Sequence, residues 1–312
     1  MIAYLIKRKR FVASFLFLFT LFCWSLFLDG EIKQVKFFYD EDGNLIDAPP
    51  YPPLTVFSLG SDKFGYDLGE MMMVGAKYTI GITLAVAFLR LVVSLVASTF
   101  IYSMKPKIFD GIKSIFEPFS VMPQTIIAFF ILYSVLWMPN TGFPTPFWQR
   151  ALFETVILVM IAVPNVTIHL ASDMRVVQTE MFIEASKTLG AGKLGVFFKH
   201  IVPHVYEKWI LLFGQQFIQT LQLLAHLGFM NLFFGGTNVP YGMLGDDGTP
   251  PRSLSFEWSG IIGSNISYLY SSQWLVLVPI TFFILTAISV ALINDSLKEY
   301  FQRNQKYTKS QG

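Results

Sequence analysis

Six stretches of this 312-residue chain are apolar and long enough to cross a bilayer, and that repeat constrains the fold more than any other feature. A span needs about 20 mostly apolar residues. Such runs occupy residues 11–28, 74–102, 121–138, 151–171, 209–234 and 274–293. Composition agrees: 53% of residues are hydrophobic and only 14% are charged, too few charges to cover a water-soluble globule of this length. The expected fold class is an all-α membrane protein with six transmembrane helices.

The loops carry their charge unevenly. If the N-terminus lies inside, Lys7, Arg8, Lys9, Arg10, Lys105, Lys107, Lys113, Arg175, Lys187, Lys193, Lys199, Lys208, Lys298, Arg303, Lys306 and Lys309 all fall on the cytoplasmic side, sixteen of the 23 Lys and Arg. The opposite side collects only Lys33, Lys36, Lys63, Arg150 and Arg252. The positive-inside rule therefore places both termini in the cytoplasm. The organisation expected is a cytoplasmic tail and first span (1–28), an extracellular segment (29–72), a five-helix core (73–295) and a cytoplasmic tail (296–312). Within the core, an intracellular loop covers 172–206 and an extracellular loop 235–272. The first run is read as a retained span, not a cleaved signal, because it is long and no small-x-small site precedes Asp29. Cys23 is the only cysteine, so no disulfide forms within the chain.

The 172–206 loop is longer than a simple connection needs. It alternates charged and apolar residues at helical spacing, enough for two short helices and a turn. Glu184, Ala185, Ser186, Lys187, Thr188 and Leu189 favour a helix, and Gly190 suits the left-handed residue that ends one. Leu194, Phe197, Phe198 and Ile201 recur on one face of the next segment, which Pro203 breaks or kinks.

Glu184-Ala185-Ser186, Gly190 and Pro203 together resemble the signature loop of ATP-binding-cassette importer permeases, with Ser186 in place of a second alanine. His200-Ile201-Val202-Pro203 is similar to a variant in the peptide and nickel branch. The stretch 59–67, leading into Gly75-Ala76-Lys77, and Asn294-Asp295-Ser296-Leu297-Lys298-Glu299 resemble the C-type permease subunit of oligopeptide, dipeptide and nickel transporters. Departures are Tyr66 in place of Arg, Asn294 in place of Gly, and an expanded stretch at 235–255. The resemblance implies a type I importer transmembrane fold in a prokaryotic cell membrane. It implies a non-catalytic subunit importing peptides, or nickel and metal chelates, by alternating access. Implied partners are a second homologous permease, two cytoplasmic ATPases that bind the ATP and Mg, an extracellular solute-binding lipoprotein, and membrane lipid, with no nucleic acid. Glu184, Ala185, Ser186, Leu189, Gly190 and Pro203 would form the coupling helix that meets an ATPase.

Gly190-Ala191-Gly192-Lys193-Leu194-Gly195 matches the dinucleotide fingerprint, but between membrane helices it lacks the strand-helix-strand context that gives this pattern its chemistry. No phosphate-binding P-loop occurs, so ATP hydrolysis would have to come from a partner and the chain needs no cofactor of its own. In the fifth run, Gln215, Gln219, Gln222 and His226 share one helix face. Amides are costly in hydrocarbon, so this stripe faces either a translocation path or neighbouring helices. Arg90 lies within the second run and must be paired, face water, which would put it on the translocation path with the stripe, or snorkel to the headgroups.

Other constellations point elsewhere only weakly. His200 and His204 lack a third ligand, Asp246 and Asp247 read as a solvated turn rather than a calcium loop, and Arg150 with Glu154 reads as a helix-end ion pair. A secondary carrier would show buried coupling acids in mid-span, and a membrane enzyme would show facing reactive groups. Neither pattern is evident in the sequence.

Overall fold

Helices supply nearly all of the order in the computed structural model, which describes residues 2–28, 32–39, 42, 45–239 and 251–310. In chain order they are α1 (Ile2–Ile6), α2 (Lys9–Leu26), α3 (Leu68–Ile101), α4 (Pro106–Phe116), α5 (Pro118–Val121), α6 (Gln124–Leu136), α7 (Phe147–Gln178), α8 (Met181–Thr188), α9 (Lys193–Val196), α10 (Val202–Phe229), α11 (Trp258–Asn265) and α12 (Trp274–Ser310). Two short antiparallel strand pairs, Phe38–Tyr39 with Leu45–Asp47 and Thr237–Asn238 with Arg252–Ser253, tie the connections on one side of the bundle.

Four of the described helices, α2, α3, α7 and α12, are long and apolar enough to cross a membrane. The chain is a multi-pass membrane protein. The third expected span differs from the sequence reading: α6 has only 13 residues, about 20 Å at 1.5 Å per residue, short of the hydrocarbon thickness. It meets the α4–α5 segment at a bend of 80°, and the pair makes a fifth span only if counted together. The fifth expected span also differs. α10 is 28 residues long but is not among the four apolar spans, because Glu207, Lys208, Gln215, Gln216, Gln219, Gln222 and His226 interrupt it.

α3 is the central strut. The Asp67 side chain accepts from the backbone N–H of Gly69 (2.8 Å) and Glu70 (3.4 Å), and Glu70 adds negative charge to the first turn. Its buried positions include Ala76, Thr79, Thr83, Ala87, Ser94 and Ser98, small side chains that let α7 and α10 come close. α11 wedges between α10 and α12. The Trp258 indole is fully buried and donates to the Met72 carbonyl at 2.8 Å, while the Trp258 backbone N–H donates to Thr79 Oγ1 at 3.0 Å. Residues expected as an extracellular loop thus include a helix packed into the core.

The two ends of the chain meet. Tyr4 packs on Tyr300 with ring centroids 5.5 Å apart, and Arg8 pairs with Glu299 at 3.0 Å. At the opposite end of the bundle, Lys77 Nζ donates to the Leu28 carbonyl at 3.0 Å, just beyond the end of α2. There Ser61 Oγ accepts from the Tyr51 N–H at 2.8 Å, and Asp62 accepts from the N–H groups of Phe64 and Tyr66 at 2.9 and 2.8 Å.

Candidate functional site

α8 is a short amphipathic helix pinned by one face. Ile183 is fully buried in a cluster with Ala171 and Met174 of α7, Val196 of α9, Ile201 just before α10, and Val205 in its first turn. Ser186 Oγ lies 3.1 Å from His200 Nε2, and the Phe182 ring stacks on His204 with centroids 4.8 Å apart. The other face is open: Glu184 and Ala185 are exposed, and Met181 and Leu189 are 82% and 88% exposed. Gly190, at φ +90°, ends the helix in the left-handed region. The helix therefore presents apolar and acidic side chains from a base held by packing and two histidine contacts.

Pro203 acts one turn earlier than a simple break. It sits in the first turn of α10, and the five residues that precede this helix, Phe197–Ile201, form a π-helical turn in which the Val202 N–H bonds the Phe197 carbonyl. Proline has no N–H for the carbonyl four residues back and its ring crowds that carbonyl, so widening the turn relieves both problems. The His204 ring closes the gap, with Nδ1 2.6 Å from the His200 carbonyl. Both histidines are thus engaged within the protein, and no group of three metal-ligating side chains occurs among the described residues. Asp246 and Asp247 lie outside the described residues.

Gln215, Gln219, Gln222 and His226 are all exposed along one face of α10 in this chain. Gln219 Oε1 accepts from Gln216 Nε2 at 3.0 Å, and His226 Nδ1 is 3.2 Å from Thr125 Oγ1 of α6. Arg90 is placed apart from them. It is 0% exposed between α3 and α7, where Nε and Nη2 donate to the Leu158 carbonyl at 3.0 and 2.7 Å. A neutral carbonyl is the partner the sequence could not identify, and Nη1 has none among the described residues.

The reading of Arg150 and Glu154 as a helix-end pair is overturned. Arg150 instead donates to the Gly235 carbonyl at 2.7 Å and to the Thr145 carbonyl, and lies over the Phe143 ring. Glu154 accepts from the Gly235 N–H at 3.0 Å, so the two side chains hold both polar groups of one residue. Glu257 accepts from the neighbouring Phe234 N–H at 3.1 Å and from the hydroxyls of Ser253 and Ser255. Burial raises the Glu257 carboxyl above the usual carboxylate range. This turn was not legible beforehand, because residues 154, 235 and 257 come together only in three dimensions.

No family model matches the chain. It is similar to the di/tripeptide transport system permease protein of Pseudomonas aeruginosa, 24% identical over 246 residues covering 78% of this chain and 71% of that protein. It is also similar to the peptide transport system permease protein of Haemophilus influenzae, 24% identical over 258 residues, with 80% and 75% covered. The oligopeptide transport system permease protein of Salmonella typhimurium is 22% identical over 298 residues, with 94% and 88% covered. A chain from the crystal structure of an amino acid ABC transporter with histidines aligns at 13% identity and a TM-score of 0.47, covering 75% of this chain and 94% of that one. The resemblance to peptide-transport permeases thus extends over most of the chain.

Proposed function

We propose that this chain is the permease subunit of an ATP-driven, solute-binding-protein-dependent importer in a prokaryotic cell membrane, forming half of a translocation path for peptides by alternating access. The observation that carries this reading is α8, whose open face and braced base suit a helix that receives force from an ATPase. Glu184, Ala185, Ser186, Leu189, Gly190 and Pro203 are the coupling residues in this reading. The named activities of the curated relatives supply the peptide cargo.

The proposed architecture has six spans with both termini cytoplasmic, in a type I importer fold. Contact of Tyr4 and Arg8 with Tyr300 and Glu299 supports an even number of crossings. α10 makes the sixth, its polar face turned away from lipid toward a second permease subunit across a shared path. In this role Gln215, Gln219, Gln222 and His226 offer donors and acceptors without a carboxylate that would hold cargo tightly. Arg90 acts from behind, joining α3 to α7 rather than touching cargo.

The test is reconstitution with the companion permease, two ATPases and the binding lipoprotein. Replacing Glu184 with Arg should lower peptide uptake at least about tenfold while insertion and assembly persist, the loss expected when one buried contact of about 1.4 kcal/mol or more is removed. Full uptake by that variant would remove the coupling role. Failure of the tagged chain to retain any ATPase in mild detergent would remove the importer reading altogether.

A further inference from the structure

Two adjacent cavities lie where the last turns of α3 meet the π-helical turn. One, about 640 Å³, includes Ser103, Gln178, Lys187 and Lys193 in its lining. The other, about 320 Å³, is lined by Leu95, Val96, Val202 and Trp209. They share Thr99, Phe100, Phe197 and Phe198 as a common wall. Together they grade from an apolar end against the span α3 to a polar end carrying two ammonium groups. No acidic residue lines either cavity, and neither lysine forms an ion pair among the described residues.

The gradient coincides with a membrane boundary. Val96, Phe100 and Phe198 are 55%, 67% and 65% exposed, as side chains bathed by acyl chains would be. The lysines stand beyond the end of α3, on the side where the chain's positive charge is concentrated. Trp209 and Val202 lie roughly 100–140° around α10 from the glutamine stripe at 3.6 residues per turn, so a subunit seated on the stripe leaves this groove open. The exposed side chains at the two ends of α8, Met181 and Leu189, are likewise absent from the lining of the apolar end of the groove.

We infer that this groove binds an anionic phospholipid, with its phosphate between Lys187 and Lys193 and one acyl chain along Val96, Phe100, Phe198 and Trp209. Charge complementarity selects the headgroup, and the continuous apolar wall selects a lipid over a soluble phosphate. The bound lipid would join α3 to the base of α8. This inference stands independently of the importer reading, since it needs only the membrane and the two lysines.

The test reads Trp209 fluorescence, taken as the difference between each variant and the same variant carrying Trp209→Phe, for the full chain in phosphatidylcholine vesicles. Brominated phosphatidylglycerol at equal mole fraction should quench that component at least about threefold more than brominated phosphatidylcholine. Lys187→Gln with Lys193→Gln should abolish the preference, and Val96→Phe, with the lysines intact, should fill the groove and lower quenching by both lipids. Equal quenching by the two lipids in wild type, or an undiminished preference in the double lysine variant, would overturn the site. Excess inorganic phosphate at matched ionic strength should leave the preference unchanged; its loss would mean a soluble-anion site and no lipid. Loss of quenching on adding the ATPase partners would show a protein-covered surface and would also exclude the lipid.

Discussion

Single residues just before α3 show how a motif in the sequence becomes a folding instruction. Asp62 ties its own turn, Asp67 caps α3, and between them Gly65 adopts φ +83° where a Cβ would collide with the Val35 carbonyl. Gly65→Ala should therefore cost about 1–3 kcal/mol, seen as a lower melting temperature in detergent with no change in helix content. Lys63 beside it is held by the Ser264 carbonyl at 3.3 Å and faces Arg252 with no ion pair of its own among the described residues. Burial first, and Arg252 second, lower its pKa from 10.5 to about 8. Below pH 8 the ammonium is present in both folded and unfolded states and its cost to folding is complete; between 8 and 10.5 the folded state sheds the proton and stability rises. Since the group is partly exposed, screening reduces the effect. Wild type should gain about 2–4 °C relative to Lys63→Met across that pH range, and a flat difference would refute the assignment.

At the scale of elements, the helix α8 and its terminating Gly190 were legible because propensity and a glycine stop are local signals. The π-helical turn was only half legible. Pro203 announced a disturbance, but its form depends on how the His200 carbonyl finds His204 and on the anchoring of Ile201 in the core. Pro203→Ala restores an N–H and should convert residues 197–201 to α-helical hydrogen bonding, with slower amide exchange there and, on the proposed importer reading, weaker coupling of ATP hydrolysis to uptake. Unchanged exchange would show that packing, not proline, dictates the turn. α11 was not legible as a core helix, since its eight residues carry no long periodic pattern. Its burial rests on Trp258, and Trp258→Phe, which removes the indole donor to the Met72 carbonyl and part of a fully buried ring, should cost about 1–3 kcal/mol by thermal or denaturant unfolding.

For the whole molecule, the proposed importer reading places a second permease against the exposed stripe on α10. Gln219→Cys, paired with a cysteine introduced on the facing helix of that subunit, should form a disulfide with it under an added oxidant but not with a second copy of this chain, read as a single shifted band on a non-reducing gel. Apolar length and charge bias along the sequence determined by themselves that the chain is a multi-pass helical membrane protein and where its polar loop lies, because bilayer thickness and helix periodicity act on contiguous residues. Only the tertiary structure decided that α6 is a short helix after an 80° bend, that Arg90 spends its charge on the Leu158 carbonyl, and that Arg150, Glu154 and Glu257 gather around one turn. Those outcomes depend on which buried polar group meets which across 68, 85, 81 and 23 residues of sequence. A buried charge or amide takes the partner that packing brings within reach, and local sequence carries no record of that distance.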